Sequence, residues 1–220
     1  MMISSGVISR QNNQNPVVPN LTSWSNFQHR RILIFGDSIG AGANASPLPS
    51  AEWAYLLCAA TNNTMVNMSI SGQRIVAGAT TPYVTFDPTT IPQKTDADLM
   101  LIINLGTNDA RNAVDVNTYQ STLDNIIITY CIGRGWPANR IFIMGLYWYA
   151  NSLGPNAVPF TNACQTVAQK YHTMFANMSP LILAACNPPV DYDSGDGVHP
   201  STNGHLIISN IMQSVGLTPV

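Results

Sequence analysis

The sequence predicts an α/β fold in which a mainly parallel sheet is covered by helices on both faces. Short, β-rich apolar runs alternate with longer segments whose apolar residues recur at helical spacing. The runs are continuously apolar, as expected of parallel strands that are buried on both faces. Such alternation implies right-handed strand–helix–strand units. Because there are five such runs, we expect a three-layer α/β/α sandwich with about five strands.

Each predicted element can be assigned in chain order. The strands are Arg31–Phe35, Thr64–Ser69, Leu99–Leu105, Arg140–Gly145 and Leu181–Ala184. The helices are Ala51–Ala60, Tyr119–Ile132, Phe160–Met178 and Ser201–Val215. Ser50 is the expected N-cap of the first helix and Gly133 the expected end of the second. Functional residues of such folds lie beyond the carboxyl ends of the strands, so the connections 73–94 and 147–159 should flank a site.

The domain organisation is read from composition. Residues 1–29 are polar, rich in Asn, Gln and Pro, and without periodicity, which predicts an N-terminal arm or linker. Residues 30–220 are predicted to form one domain, which is long enough to bury a substantial core. No apolar run approaches the roughly 18 residues that span a bilayer, and no signal peptide is readable at the start.

Charge is scarce, with 9 Lys and Arg against 11 Asp and Glu and a net charge of −2. Nothing in this balance attracts a polyphosphate backbone, so nucleic acid is excluded as a partner. The 22 Asn residues outnumber all charged residues together. A surface made polar by Asn, Ser and Thr favours an extracellular or particle-surface setting.

The four cysteines are far apart and form no C-x-x-C motif, and no histidines cluster with them at metal-ligand spacing. Their apolar neighbours favour buried free thiols, while one disulfide remains open. His29, His172 and His205 likewise have no carboxylate or cysteine at ligand spacing. We therefore predict no metal site.

The stretch IFGDSIGAGANA, which follows the first predicted strand, is compatible with two chemistries. Gly40-x-Gly42-x-x-Ala45 matches the turn that binds a dinucleotide pyrophosphate, which would indicate a nucleotide-binding oxidoreductase. That site needs a loop without negative charge and an acidic residue about 20 positions later. Asp37 lies inside the turn, and after Glu52, in a predicted helix, the next acidic residue is Asp87. The phosphate-binding interpretation fails on both requirements.

The same stretch can instead present Ser38 as a nucleophile. A serine nucleophile requires a histidine base and a group that orients it, from any distance in sequence. The segment DGVHPSTNGH places Asp196 three residues before His199, just before the last predicted helix. In such a turn the carboxylate reaches the imidazole Nδ1–H and leaves Nε2 free to accept the serine proton.

Acyl transfer also requires donors for the developing oxyanion. The segment Leu105–Ala110 (LGTNDA) follows the third predicted strand and places the Asn108 amide at the same edge of the sheet. Gly72 follows the second predicted strand and adds a backbone N–H that no side chain obstructs.

Together these segments resemble the sequence blocks of the SGNH (GDSL-type) hydrolases. Gly36-Asp37-Ser38-Ile39 is similar to the first block, with Ile where Leu is common. Gly72 matches the second block, Gly106–Asp109 the third and Asp196–His199 the fifth. The blocks occur in family order and span residues 31 to about 205.

The resemblance implies a role for each matching residue. Ser38 would be the nucleophile, and its own N–H would be one oxyanion donor. The Gly72 N–H and the Asn108 side-chain amide would complete the oxyanion hole. His199 would be the base and Asp196 its orienting carboxylate. The resemblance also implies a flavodoxin-like sandwich that uses no metal and no cofactor.

The predicted function is a serine esterase that acts on a small-molecule or glycan ester. The polar surface and the aromatic run Tyr147-Trp148-Tyr149 favour short acyl groups, such as acetyl esters on a carbohydrate. The alternatives are a lipase or thioesterase that acts on longer acyl chains, and a glycan-binding module that retains the fold without catalysis. The aromatic run could equally anchor a long loop.

Structural roles are alternatives at several of these positions. Ser38 could be the N-cap of a helix, and Asn108 could be a turn residue bonded to backbone. Asp196 and His199 could form an ordinary turn before the last helix. Asp37 and Asp109 are expected to hold loops through backbone N–H groups rather than to act as a pair of acids.

Overall fold

The structure, a computed structural model, describes residues 28–78, 81–147 and 156–215. Residues 1–27 of the predicted arm lie outside this range. The division of the chain into an arm and a domain at residue 30 therefore stays a prediction.

The strands form one large and one small sheet. They are β1 (Arg31–Gly36), β2 (Thr64–Asn67), β3 (Gln73–Arg74), β4 (Val84–Thr85), β5 (Asp98–Asn104), β6 (Ile141–Met144) and β7 (Met174–Ala176). The large sheet is wholly parallel, in the order β2-β1-β5-β6-β7, and β3 pairs with β4 separately.

The helices in chain order are α1 (Trp53–Ala60), α2 (Thr107–Arg111), α3 (Val116–Asn125), α4 (Ala157–Tyr171), α5 (Met178–Ala185), α6 (Pro188–Asp191) and α7 (Thr202–Ser214). α3 continues as a π-helical segment, Ile126–Cys131, and a 3₁₀ turn, Ile132–Arg134; two further 3₁₀ turns are Pro88–Thr90 and Ala138–Arg140. Over the described ranges, no helix is both long and apolar enough to cross a membrane.

The core consists of two layers, one on each face of the large sheet. Alternate residues of β1 divide between them, with Ile32 and Ile34 in one apolar cluster and Leu33 and Phe35 in the other. The first cluster includes side chains of α1, α5 and α7, and the second includes side chains of α3 and α4. This division explains the continuously apolar strand sequences and confirms the three-layer α/β/α sandwich.

The strand order also locates the crevice where a site is expected. Renumbered along the large sheet alone, the order is 2-1-3-4-5, which is the flavodoxin-like arrangement. The direction of winding reverses at β1, whose neighbours are β2 and β5. In open α/β sheets ligands bind outside the carboxyl ends of the strands at such a reversal.

The prediction of a strand at Leu181–Ala184 is wrong, because these residues belong to α5. The fifth strand is instead Met174–Ala176, so the prediction of one helix over Phe160–Met178 is also wrong at its end. A run of four apolar residues fits a buried helix as well as a strand, so periodicity alone does not decide. α4 ends before β7 because His172 adopts a left-handed conformation, with φ of 53°.

Several helix boundaries also differ from the predictions. α1 begins at Trp53 after Glu52, so Ser50 is not its N-cap. α3 begins at Val116, where the Asp115 side chain accepts from Thr118 N at 2.8 Å. The chain leaves the helical conformation at Gly135, with φ of 82°, rather than at Gly133.

All four cysteines are free, as the sequence favoured. Cys58, Cys131 and Cys164 are buried and Cys186 is half-buried. Burial raises the pKa of the three buried thiols to about 12, which suppresses the reactive thiolate at neutral pH.

Candidate active site

The loop after β1 presents Ser38 at the reversal of the sheet. Asp37 is buried, and its Oδ1 accepts from Ile39 N at 2.9 Å, which turns the chain directly around Ser38. Asp37 N donates to Asn104 O at the end of β5 at 3.3 Å. The alternative that Ser38 caps a helix is wrong, because the next helix begins only at Trp53.

The turn before α7 brings the predicted base to Ser38. His199 Nε2 lies 2.8 Å from Ser38 Oγ, although the two residues are 161 positions apart. His199 Nδ1 lies 2.6 Å from Asp196 Oδ2. A carboxylate only accepts, so Nδ1 carries the proton and Nε2 accepts from the serine hydroxyl.

The Asp196 carboxylate is held in its ionised form. Burial raises its pKa, but the backbone N–H and the imidazole of His199, the N–H of Val198 and the charge of His199 together lower it to about 2. Oδ1 accepts from Val198 N at 2.9 Å and from His199 N at 2.8 Å. Oδ2 is thereby aimed at the imidazole, so the local D-x-x-H turn fixes the orientation of the ring.

Gly72 occupies a turn after β2 that only glycine accommodates. Its φ is +80°, and a Cβ at this position would lie 2.8 Å from Pro82 O. The same loop is tied to the end of β1, because Ile70 N donates to Gly36 O at 3.0 Å. Within the described residues, the N–H groups of Gly72 and Ser38 donate to no protein acceptor. Both are therefore available to a ligand.

Asn108 and Asp109 in α2 hold the segment that follows Gly72. Asn108 is buried, and its Nδ2 donates to Gln73 O at 2.7 Å. Asp109 accepts from Ile75 N and Val76 N, each at 2.9 Å. The Asn108 bond uses one of two N–H groups and fixes the amide beside Gly72, so a second donor remains. The expectation that Asp37 and Asp109 hold loops through backbone N–H groups is confirmed.

Asp37 is a buried carboxyl beside the candidate nucleophile. Burial raises its pKa from 3.8 to about 6, although the N–H of Ile39, the Thr107 hydroxyl and the charge of His199 oppose the shift. Because the pKa of Asp37 is higher in the folded protein than in the unfolded chain, ionisation of this carboxyl costs more free energy in the folded state. The folded protein therefore loses stability as the pH rises from about 4 to about 6, and the whole cost is present above that range.

Asp37→Asn should remove this pH dependence, because the amide retains the acceptor for Ile39 N and cannot ionise. A shift of about two pH units corresponds to about 3 kcal/mol. We therefore compare the free energies of unfolding of the variant and the unmodified protein. Their difference should increase in favour of the variant by up to about 3 kcal/mol between pH 4 and pH 7. Urea unfolding at several pH values across this range measures the difference. The same pH dependence of the free energy of unfolding in both proteins would contradict the prediction.

Two residues that contact the site were not singled out from the sequence. The Asp193 carboxylate accepts from Gly195 N and Gly197 N, each at 3.1 Å, and so shapes the turn that carries Asp196. An Asp two residues before a glycine is a turn signal that could have indicated it. Asn44 donates from Nδ2 to Ser194 Oγ at 2.8 Å across 150 residues, a contact with no sequence signal.

The aromatic run is only partly described, since Trp148 and Tyr149 lie outside the described residues. Tyr147 is buried, and its hydroxyl accepts from Asn104 Nδ2 at 2.9 Å. It therefore packs beneath the sheet edge and offers no face for a sugar ring.

His205 is fully buried, and its Nε2 donates to Ala43 O at 2.9 Å. Its role is to hold the loop that carries Ser38. The described residues contain no group of three or more His, Cys, Asp or Glu side chains that could hold a metal ion.

The chain matches the model of one protein family, described as the GDSL-like Lipase/Acylhydrolase family, over residues 34–207. This range includes Ser38, Gly72, Asn108, Asp196 and His199. No curated protein sequence matches the chain significantly.

Three solved structures of low sequence identity illustrate the proteins that share this fold. TesA is 21% identical, with a TM-score of 0.64 over 83% of this chain and 96% of its own. The acetylxylan esterase Axe2 from Geobacillus stearothermophilus is 17% identical, with a TM-score of 0.63 over 88% and 98%. The psychrotrophic esterase EstA from Pseudoalteromonas sp. is 20% identical, with a TM-score of 0.58 over 83% and 94%. At these identities the similarity demonstrates the fold.

Proposed function

The chain belongs to the GDSL-like Lipase/Acylhydrolase family, and on that premise we propose that it hydrolyses short acyl esters, such as acetyl esters of a carbohydrate, through Ser38, His199 and Asp196. Membership in the family makes it a carboxylic ester hydrolase. The hydrogen-bonded chain from Asp196 Oδ2 through His199 to Ser38 Oγ, with distances of 2.6 and 2.8 Å, is the observation that carries the mechanism.

Acylation starts at the Ser38 hydroxyl. His199 Nε2 takes the proton as Oγ attacks the ester carbonyl carbon, and the carbonyl electron pair moves onto oxygen. The imidazolium that forms is stabilised by the ionised Asp196 carboxylate. The tetrahedral intermediate then collapses, the alcohol leaves with the proton from His199, and the acyl group remains on Oγ.

Deacylation repeats these steps with water. His199 removes a proton from the water as it attacks the acyl carbonyl, and returns the proton to Ser38 Oγ as the acid leaves. The N–H groups of Ser38 and Gly72 and the amide of Asn108 donate to the oxyanion in both halves. The fixed position of the Asn108 amide, bonded to Gln73 O, supports this role because a preorganised donor does not have to reorient during the reaction.

A polar cleft beside Asp196 supports a hydroxyl-rich substrate. It is a shallow, open depression of about 790 Å³, and Ser38 and His199 are not among its lining residues, which are Asn44, Ser194, Gly195, Asp196, Ser201, Thr202 and Asn203. Amide and hydroxyl side chains match the hydrogen-bonding groups of a neutral carbohydrate. The name of the structural neighbour Axe2, an acetylxylan esterase, points in the same direction.

One observation favours the second candidate, an esterase for longer acyl chains. A groove of about 520 Å³ adjoins the polar cleft at Thr202 and Asn203, and Pro47, Ala51, Leu56 and Leu206 supply most of its apolar lining. Such a surface could accommodate part of an alkyl chain. The polar cleft therefore favours esters with short acyl chains, and the apolar groove favours esters with longer acyl chains.

The test is a hydrolysis screen of acetylated oligosaccharides beside p-nitrophenyl esters of increasing chain length. We expect the highest kcat/KM on acetyl esters and a decline beyond butyrate, because the polar cleft gains nothing from added methylenes. EDTA should leave the rate unchanged. A preference for octanoate or longer esters would favour the second candidate. Carbohydrate binding without any turnover would identify a glycan-binding module.

A further inference from the structure

The contact between Ser38 and His199 joins two segments that have little regular structure. Ser38 lies in the nucleophile loop, defined here as residues 37–46, and His199 in the acid–base turn, defined as residues 193–200. Neither segment contains a helix, and the turn has only the single bridge from Asp193 to Pro200. The 2.8 Å distance from nucleophile to base therefore depends on what ties the two segments together.

The acid–base turn is braced internally by its own residues. The Asp193 carboxylate accepts from two glycine N–H groups, and Ser194 N donates to His199 O at 3.0 Å. These bonds shape the turn but do not reach the nucleophile loop. The turn could keep its shape and still shift as a unit relative to Ser38.

Asn44 is the residue of the nucleophile loop that reaches this turn. Its Nδ2 donates to Ser194 Oγ at 2.8 Å and lies 3.5 Å from Asp196 Oδ2. Apart from Ser38, no other side chain of the loop is recorded hydrogen-bonding to the turn in the described ranges. The longer contact is weak, so Asn44 acts mainly through Ser194.

The backbone at Asn44 is adapted to this contact. Its φ is 67°, in the left-handed region that Asn tolerates better than most residues with side chains. His205 Nε2 donates to Ala43 O on one side, and Ser46 N donates to Thr202 Oγ1 at 3.0 Å on the other. The loop is therefore anchored to α7 on both sides of Asn44, which leaves its amide aimed at the turn.

We propose that Asn44 is a positioning residue of the hydrolase: its bond to Ser194 clasps the nucleophile loop to the acid–base turn and maintains the approach of Ser38 to His199. This proposal rests on the proposed function. The bond contributes to catalysis because small displacements of a nucleophile from its base are costly in rate. It contributes little to stability, because both side chains are exposed.

Asn44→Gly tests this contribution, because glycine accommodates the left-handed backbone and the substitution removes the side chain that makes the bond. Asn62→Gly is the matched control: Asn62 is also an exposed asparagine with positive φ, at 55°, but its amide contacts Gln28. With p-nitrophenyl acetate, which has no carbohydrate to contact the polar cleft, we expect Asn44→Gly to lower kcat about tenfold, the loss of roughly one hydrogen bond. KM and Tm should stay close to those of Asn62→Gly.

Ser194→Ala removes the other partner of the same bond. It should lower kcat to a similar extent, and the Asn44→Gly, Ser194→Ala double variant should be no slower than either single variant. An Asn44→Gly protein with the kcat of Asn62→Gly would overturn the proposal. Independent, multiplicative losses in the double variant, or a normal kcat for Ser194→Ala, would overturn it as well.

A measurement without substrate separates this inference from the proposed function. The ¹⁵N NMR chemical shift of His199 Nε2 depends on the hydrogen bond that it accepts from Ser38 Oγ, and Asn44→Gly should change this shift while Asn62→Gly does not. An unchanged signal would overturn the proposed positioning role of Asn44 even if the protein turns over no ester. Absence of both ester turnover and phosphonate labelling in the unmodified protein would instead refute the proposed function.

Discussion

Ser38→Ala is expected to lower kcat for ester hydrolysis by roughly 10⁴- to 10⁶-fold while leaving the fold intact. The substitution removes the atom that would form the acyl bond, so no other group in the hydrogen-bonded chain can replace it. Ser38 and His199 are both half-buried, so the loss of the hydroxyl leaves no fully buried polar group without a partner. Turnover of p-nitrophenyl acetate and the Tm should be measured on the same preparation.

Ser121→Ala is a suitable control, because Ser121 is an exposed serine on α3 that bonds only within its helix. It should match the unmodified protein in both measurements. A serine-directed fluorophosphonate should label Ser38 in the unmodified protein and in the control, but not in Ser38→Ala. Normal turnover by folded Ser38→Ala, or labelling of a different serine, would refute the mechanism.

Asn108→Ala is expected to lower kcat by about 10²- to 10³-fold with little change in KM, the usual effect of one lost oxyanion donor. The amide donates more strongly to the developing negative charge than to the neutral carbonyl, so its loss affects the transition state most. The substitution also leaves the buried Gln73 O without its 2.7 Å bond, so the free energy of unfolding should fall by about 1–3 kcal/mol. Asn108→Asp should be at least as damaging, because it replaces the donor with a negative charge.

Asn112→Ala controls for this structural loss. The Asn112 side chain donates to Asn108 O at 2.6 Å at the end of the same helix, and it has no proposed contact with substrate. We expect Asn112→Ala to lower the Tm and to retain the kcat of the unmodified protein. If the folded fraction of Asn108→Ala also retained normal kcat, Asn108 would be a turn residue and not an oxyanion donor.

The fold was predictable wherever a strand was long and buried on both faces. β1 and β5 are such strands, and their continuous apolar sequences identified them. The fifth strand was not predictable, because Met174–Ala176 has only three residues and is stabilised as a strand by pairing with β6. The apolar run at Leu181–Ala184 was assigned to a strand for the same reason: a short run carries no period that separates the two structures.

The candidate site was predictable to the extent that its chemistry is local. Asp196 and His199 lie three positions apart, so one turn brings the carboxylate to the imidazole. Asp193 belongs to the same turn, and its position two residues before Gly195 is a local turn signal. Asn44 was not predictable, because its contact with Ser194 spans 150 residues and exists only after the chain has folded.

The sequence by itself determined the layers of the fold, the residue types of the site and the strand ends at which they lie, because these depend on local patterns of apolar and polar residues. Only the tertiary structure decided how far apart the groups are. The parallel order β2-β1-β5 places the loops after three strands side by side, and the burial that raises the pKa of Asp37 arises from this packing. The 2.8 Å approach of His199 to Ser38 is decided in the same way, because a distance between residues 161 positions apart is set by the packing of the elements that carry them and by no property of either segment alone.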